Sequence, residues 1–128
     1  MAVTDASAID DVADTLFRAI ECSDVAIIDE LWNDDIAVWH SGDRHDNDRA
    51  RAMRVICWFI NRTTVRRYEI LDRQLFEGGF VQQHVLHASG AHGSIDMRVC
   101  IVVKLAENGL ISRIDEYFDP AEMAPLMN

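Results

Sequence analysis

The chain has 128 residues, 49% of them hydrophobic, which suits a single compact domain spanning 1–128 with a core of its own. Its 12 basic and 22 acidic residues give a net charge of −10. That balance argues against nucleic acid or an anionic membrane as partner, because both need clustered Lys and Arg.

The N-terminus lacks a basic-then-apolar leader pattern, and no apolar run approaches the ~18 residues of a membrane span. A cytoplasmic protein is therefore expected. Cys22, Cys57 and Cys100 are odd in number and lack Cys-x-x-Cys spacing. They read as reduced, mostly buried small hydrophobes and not as metal ligands or a disulfide.

Taken in chain order, Ile9, Val12, Ala13, Leu16, Phe17 and Ile20 recur at helical spacing and predict an amphipathic helix, capped by Asp5 or Ser7. Ser23-Asp24 breaks it and caps a short second helix holding Val25, Ile28, Leu31 and Trp32. Ile36, Val38 and His40 alternate with Ala37 and Trp39 as a first strand, which ends at the turn Ser41-Gly42-Asp43. Asn47 or Asp48 then caps a third helix with Met53, Ile56, Cys57 and Ile60 on one face.

From Thr64 the pattern changes to long strands, over about 64–76, 79–89, 94–105 and 110–119, joined by Gly78-Gly79, a Gly90-to-Gly93 loop and Asn108-Gly109. Strands of ten to twelve residues cover ~35–40 Å at ~3.3 Å each. A domain this small must bend them. The expected fold is α+β: a cone-shaped, strongly curved, mainly antiparallel sheet wrapped around the N-terminal helices and enclosing a pocket.

In the strand 94–105, Ile95, Met97, Val99, Ile101, Val103 and Leu105 form an unbroken apolar face. A pocket lined by that row favours a small hydrophobic ligand with one or two polar groups. In the last strand Glu116 lies between Ile114 and Phe118 on one face, where an ionised carboxyl is costly and asks for a reason. His40 shares its face with Ile36 and Val38. A neutral imidazole near a carboxylate can act as acid and base around pH 7. Each could instead be a satisfied structural group. In the strand 79–89, Phe80, Gln82, His84 and Leu86 alternate with Val81, Gln83, Val85 and His87, and periodicity cannot choose the inner face. His84 and His87 fall on opposite faces and cannot chelate one metal.

The order of elements resembles the nuclear transport factor 2-like superfamily, in its SnoaL-like, ketosteroid isomerase-like and limonene epoxide hydrolase-like branch. The resemblance is carried by Asn33 through His40, by Gly79 through Leu86 and by Gly109 through Pro120. In ketosteroid isomerase, itself a worked case of tuned acidity, an Asp base late in the first strand works with a Tyr and a protonated Asp. Those positions fall here on His40, on Leu16 and near Cys100 or Ile101. In limonene epoxide hydrolase, water is held by a Tyr and an Asn of the first strand and an Asp of the last, beside an Arg-x-Asp pair. Here they fall on Val38, His40, Glu116 and Val85-x-His87.

The resemblance thus implies catalytic His40, Glu116 and His87, with Gln83 and His87 facing inward. Val38, Trp39, Gln83, Val85, Val99, Ile101, Ile114 and Phe118 are expected to line the substrate pocket, and Trp32 and Trp58 are further wall candidates. No cofactor or metal is implied. The implied function is acid–base chemistry (isomerase, dehydratase or hydrolase type) on a small hydrophobic molecule such as a steroid, terpenoid or polyketide. A non-catalytic binder or assembly subunit on the same fold is the alternative. Apolar residues left on the outer sheet face, Val102 with Tyr117 or Phe80 with Leu86, predict a homodimer.

Overall fold

The computed structural model describes residues 5–127. Helices α1 (Ala6–Glu21) and α2 (Val25–Leu31) lead into strand β1 (Trp32–His40), and α3 (Arg49–Arg62) leads into β2 (Val65–Phe76), β3 (Gly79–Gly90), β4 (Gly93–Leu105) and β5 (Ile111–Tyr117). A 3-10 turn, Pro120–Met123, and a short α4 (Ala124–Met127) follow. Among the described residues, no helix is long and apolar enough to cross a membrane.

Capping carboxylates fix the helix starts. Asp5 accepts from the Ser7 amide, Asp24 from Ile27 and Asp48 from Arg51, each filling an amide left open by the helix. Along α1, Ile9, Ala13, Leu16, Phe17 and Ile20 are buried, matching the apolar stripe in the sequence. On α3 the buried positions are Ala52, Phe59 and Ile60, whereas Met53, Ile56 and Cys57 are half-buried. Trp32 belongs to β1 and caps α2 in extended conformation, rather than closing the second helix as expected. Cys22 is exposed, and Cys57 and Cys100 are half-buried, so the thiols are not core residues.

The five strands form one open sheet in the order β1-β5-β4-β3-β2. All pairings are antiparallel except β1 with β5, which is parallel. The exception follows from connectivity. Helix α3 carries the chain from β1 at one edge to β2 at the other, and the meander then returns through β3 and β4 to lay β5 beside β1. Register shifts leave extra residues in β1, in β2 at Leu71 and in β5 at Ser112, irregularities that bend and twist a sheet whose long strands would otherwise overrun so small a domain. At the β2–β3 turn Gly78 takes φ +86°, and Gly79 lies so close to β4 that a Cβ would sit 2.1 Å from the Val103 carbonyl oxygen.

On the inner face, Phe80, Leu86, Ile95, Met97, Val99, Ile101 and Val103 pack with α1 and α2 residues into one core. Buried Arg66 ties the helix ends to the sheet. It donates to the carbonyls of Ile20 (2.8 Å), Ile60 (3.1 Å) and Thr63 (3.0 Å), to the Thr63 hydroxyl (2.6 Å) and to the Ser23 hydroxyl. Carbonyls left over where α1 and α3 stop are thereby satisfied.

Candidate functional site

The site begins where β1 stops. Asn47 pairs with Val38 through both backbone groups and donates its side-chain amide to the Val38 carbonyl, so the segment after His40 folds back on β1. That fold places the Asp43 carboxylate beside His40. One oxygen, Oδ2, accepts from the His40 amide (3.0 Å), from the Asn47 amide (2.9 Å) and from His40 Nδ1 (3.2 Å). Burial pushes the Asp43 carboxyl up, but the bonds from Asn47 and His40 outweigh it and hold it below the usual carboxylate range. An ionised carboxylate can only accept, so the proton of a neutral His40 sits on Nδ1 and the lone pair on Nε2.

Parallel pairing of His40 with Glu116 sets both residues on the same face of adjacent strands. His40 Nε2 lies 3.7 Å from Glu116 Oε1. This exceeds a direct hydrogen bond but lies within reach of one shared ligand atom or water. The Glu116 side chain keeps 28% of its surface accessible, yet the walls around it desolvate the carboxyl and push its pKa up, while the nearby His40 pulls it partly back. Ser41 pins the strand ends: its amide donates to the Glu116 carbonyl (3.0 Å) and its hydroxyl accepts from the Phe118 amide (3.0 Å).

Both groups face a cavity of about 580 Å³ between the helices and the sheet. Its walls are mostly apolar, from Leu16, Phe17 and Ile20 of α1 to Ile101 of β4 and Ile114 of β5. Val55, Trp58 and Met127 line it and are also exposed, which marks its opening between α3 and the C-terminal helix. Tyr68 and His84 add polar groups to a wall that also carries Asn47 and Arg51. Burial, and then the charges of Glu116 and Glu21, push the Tyr68 phenol far up, so it stays protonated.

The structure brings together His40 and Glu116, with Val38, Ile101, Ile114 and Phe118 in the same cavity wall. Val99 is buried in the core but outside that wall. Trp39 points to the other face, where its ring lies 5.2 Å from Tyr117 and its indole N–H donates to the Asp43 carbonyl. Gln83, Val85 and His87 also lie outside the cavity, contrary to the expected orientation of β3. Gln83 accepts from Arg98, and His87 is held between Glu69 and Asp96 on the outer face.

Register explains that correction. Gly90 pairs with Gly93 across a two-residue turn, so even-numbered residues of β3 oppose odd-numbered residues of β4. The apolar row of β4 faces inward and carries Gln82 and His84 in with it, opposite Ile101 and Val99. The length of the Gly90-to-Gly93 turn was therefore the signal that could have found His84. Asp43 and Tyr68 are the other site residues that sequence reasoning missed. The turn Ser41-Gly42-Asp43 held the hint for Asp43, since an Asp in a turn commonly bonds backbone amides nearby.

No family model and no curated protein matches the sequence. Solved structures do resemble this one. An epoxide hydrolase of the limonene epoxide hydrolase-like type from M. tuberculosis superposes with a TM-score of 0.76 at 17% identity, covering 94% of this chain and 89% of that one. SalBIII, an epoxide hydrolase/cyclase-like enzyme of pyran ring formation in the polyether salinomycin, gives 0.79 at 12% identity over 94% and 97%. A SnoaL-like polyketide cyclase from Shewanella denitrificans OS-217 gives 0.77 at 11% identity over 92% and 95%. The chain thus has the nuclear transport factor 2-like fold, in the form shared by SnoaL-like cyclases and epoxide hydrolase-like proteins.

Proposed function

We propose that this chain is a cofactor-independent acid–base enzyme, of isomerase, dehydratase or hydrolase type, acting on a small hydrophobic molecule in its cavity. His40 and Glu116 form the proton-transfer pair, and Asp43 orients His40. One observation carries the reading. An imidazole whose Nδ1 is engaged by a carboxylate presents Nε2 beside a desolvated carboxyl, 3.7 Å away, in a largely apolar cavity of about 580 Å³. Two such groups facing one space can take a proton from one atom of a bound molecule and return it to another. The cyclase and epoxide hydrolase names of the structural neighbours support the same class of chemistry.

The working unit in this proposal is a homodimer joined through the outer sheet face. Val81, Val85, Val102 and Tyr117 share that face, and Phe80 and Leu86 take no part because they are buried inside. The free thiols of Cys22, Cys57 and Cys100 support a reducing, cytoplasmic setting.

The test offers wild type and Glu116→Gln two probes: 1-tetralone in D₂O, read by NMR as exchange of the protons beside its carbonyl, and styrene oxide, read as diol formation. Turnover of at least one by wild type, lowered about 10²–10⁴-fold in the variant, is expected. Binding of both without turnover would instead make the chain a non-catalytic binder.

A further inference from the structure

His84 carries a polar atom that nothing in the fold explains. The residue is 1% exposed and forms part of the cavity wall, and its Nε2 has no hydrogen-bond partner among the described residues. Buried donors and acceptors are normally satisfied, because leaving one unmade is costly.

The protonation pattern of this ring follows from its neighbours. Arg73, held by Asp10 (3.2 Å) and Asp14 (2.9 Å), donates from Nε to Gln82 Oε1 at 2.8 Å. A guanidinium has no acceptor, so this bond fixes which end of the Gln82 amide is oxygen. The other end, the NH₂ group, faces His84 Nδ1 at 2.9 Å and must donate to it. With Nδ1 accepting, the proton of the neutral ring is on Nε2. Burial pushes the His84 pKa down to about 4, so the ring stays neutral in ordinary buffers. Gln82 lies outside the cavity wall, whereas His84, Tyr68 and Phe17 belong to it, and His84 Nε2 is itself buried beside that wall. The ring packs at steep angles against Tyr68 (4.9 Å, 89°) and Phe17 (5.5 Å, 68°), and neither gives Nε2 a hydrogen-bond partner.

We propose that the His84 Nε2–H, set as a neutral donor by the Asp10/Asp14–Arg73–Gln82 chain, is the oxygen-recognition element of the cavity and selects hydrophobic molecules carrying a ketone-type carbonyl oxygen. A donor-only nitrogen recognises an oxygen that accepts and gains nothing from a purely hydrocarbon skeleton. Tyr68 links this donor to the acid–base pair. It packs against the His84 ring and lines the same cavity as Glu116 and His40, so a carbonyl held at His84 lies in the space that the acid–base pair faces. Assigning the carbonyl as the handle of a substrate rests on the acid–base reading above. Binding itself does not.

The experiment compares 1-tetralone with tetralin, its counterpart lacking the oxygen, on the full chain labelled with ¹⁵N-histidine. Expected are a His84 ring protonated at Nε2 and not at Nδ1 from pH 5 to 8, an Nε2 signal that moves with 1-tetralone and not with tetralin, and tighter binding of the ketone. His84→Phe, which keeps an aromatic ring in the wall, should weaken 1-tetralone binding about tenfold and leave tetralin unchanged, the net worth of one buried hydrogen bond. An Nδ1–H tautomer, an imidazolium at pH 7, no preference for ketone over hydrocarbon, or a preference that survives in His84→Phe would each overturn the proposal. Should His84→Phe fail to fold, the NMR of the unmutated protein decides alone. The ketone preference is read from binding and needs no turnover, so a failed acid–base reading would not be mistaken for a failed His84 site.

Discussion

Replacing Asp43 by Asn tests how the site is held together. In the native chain one Asp43 oxygen accepts three bonds, from the His40 amide, His40 Nδ1 and the Asn47 amide. An Asn can still accept with its single oxygen, but the bonds lose their charge assistance, worth about 1 kcal/mol each. Asp43 keeps 35% of its side chain accessible, so solvent screens much of this, and a loss of about 1 kcal/mol in all is expected. With an unfolding entropy of ~2.1 cal/mol/K per residue, a 128-residue chain loses about 4 °C in Tm for that change. Activity should fall further than stability, because the charged acceptor also fixes the tautomer and angle of His40. Misplacement of a reacting group costs about 10²-fold, and it should appear in kcat with KM nearly unchanged. Thermal melts and steady-state exchange kinetics on 1-tetralone read both effects. An Asp43→Asn protein with native Tm and native kcat would refute the reasoning, and a loss confined to KM would make Asp43 a binding group.

Glu116→Gln should stabilise the fold at neutral pH. Desolvation raises the Glu116 pKa in the folded chain, so folded protein binds its proton more tightly than unfolded protein, and stability falls as pH rises above the ordinary value of 4.5. The gain over wild type in urea unfolding should be largest near pH 7 and vanish towards pH 4; a constant gain would contradict it. Gly79→Ala should destabilise by about 1–3 kcal/mol in the same assay, because its Cβ would meet the Val103 carbonyl oxygen at 2.1 Å. Light scattering at micromolar concentration should report a dimer, and a monomer there would remove the proposed use of the outer face around Val102 and Tyr117.

Much of this arrangement was legible in the residues. The stripe from Ile9 to Ile20, the long strands after Thr64 and the apolar row from Ile95 to Val103 each follow one period and reappear in place. His40 and Glu116 stood out because each interrupts an apolar strand face. Features that escaped depend on pairing and not on period. The inner face of β3 is ambiguous within the strand and settled only by its turn to β4. Trp32 reads as helix by spacing, yet the chain needs an extended residue there to enter the sheet. The final helix escaped because the elements expected from the sequence end with the strand 110–119, although Asp119 caps the next turn by accepting from Ala121 and Pro120 is well suited to a helix start. That segment buries Leu126 and contributes Met123 and Ala124 to the cavity wall, so part of the site lay in a stretch that carries little periodic signal.

The central claim is that His40 and Glu116 act together on one bound molecule. A double-mutant cycle with His40→Ala and Glu116→Gln, read by proton exchange on 1-tetralone and by hydration of styrene oxide, tests it most directly. Each single variant should lose about 10²–10⁴-fold in kcat, and the double variant should be little worse than either, as expected of groups that work as a unit. Losses that simply multiply in the double variant, or a Glu116→Gln protein with full activity, would contradict it.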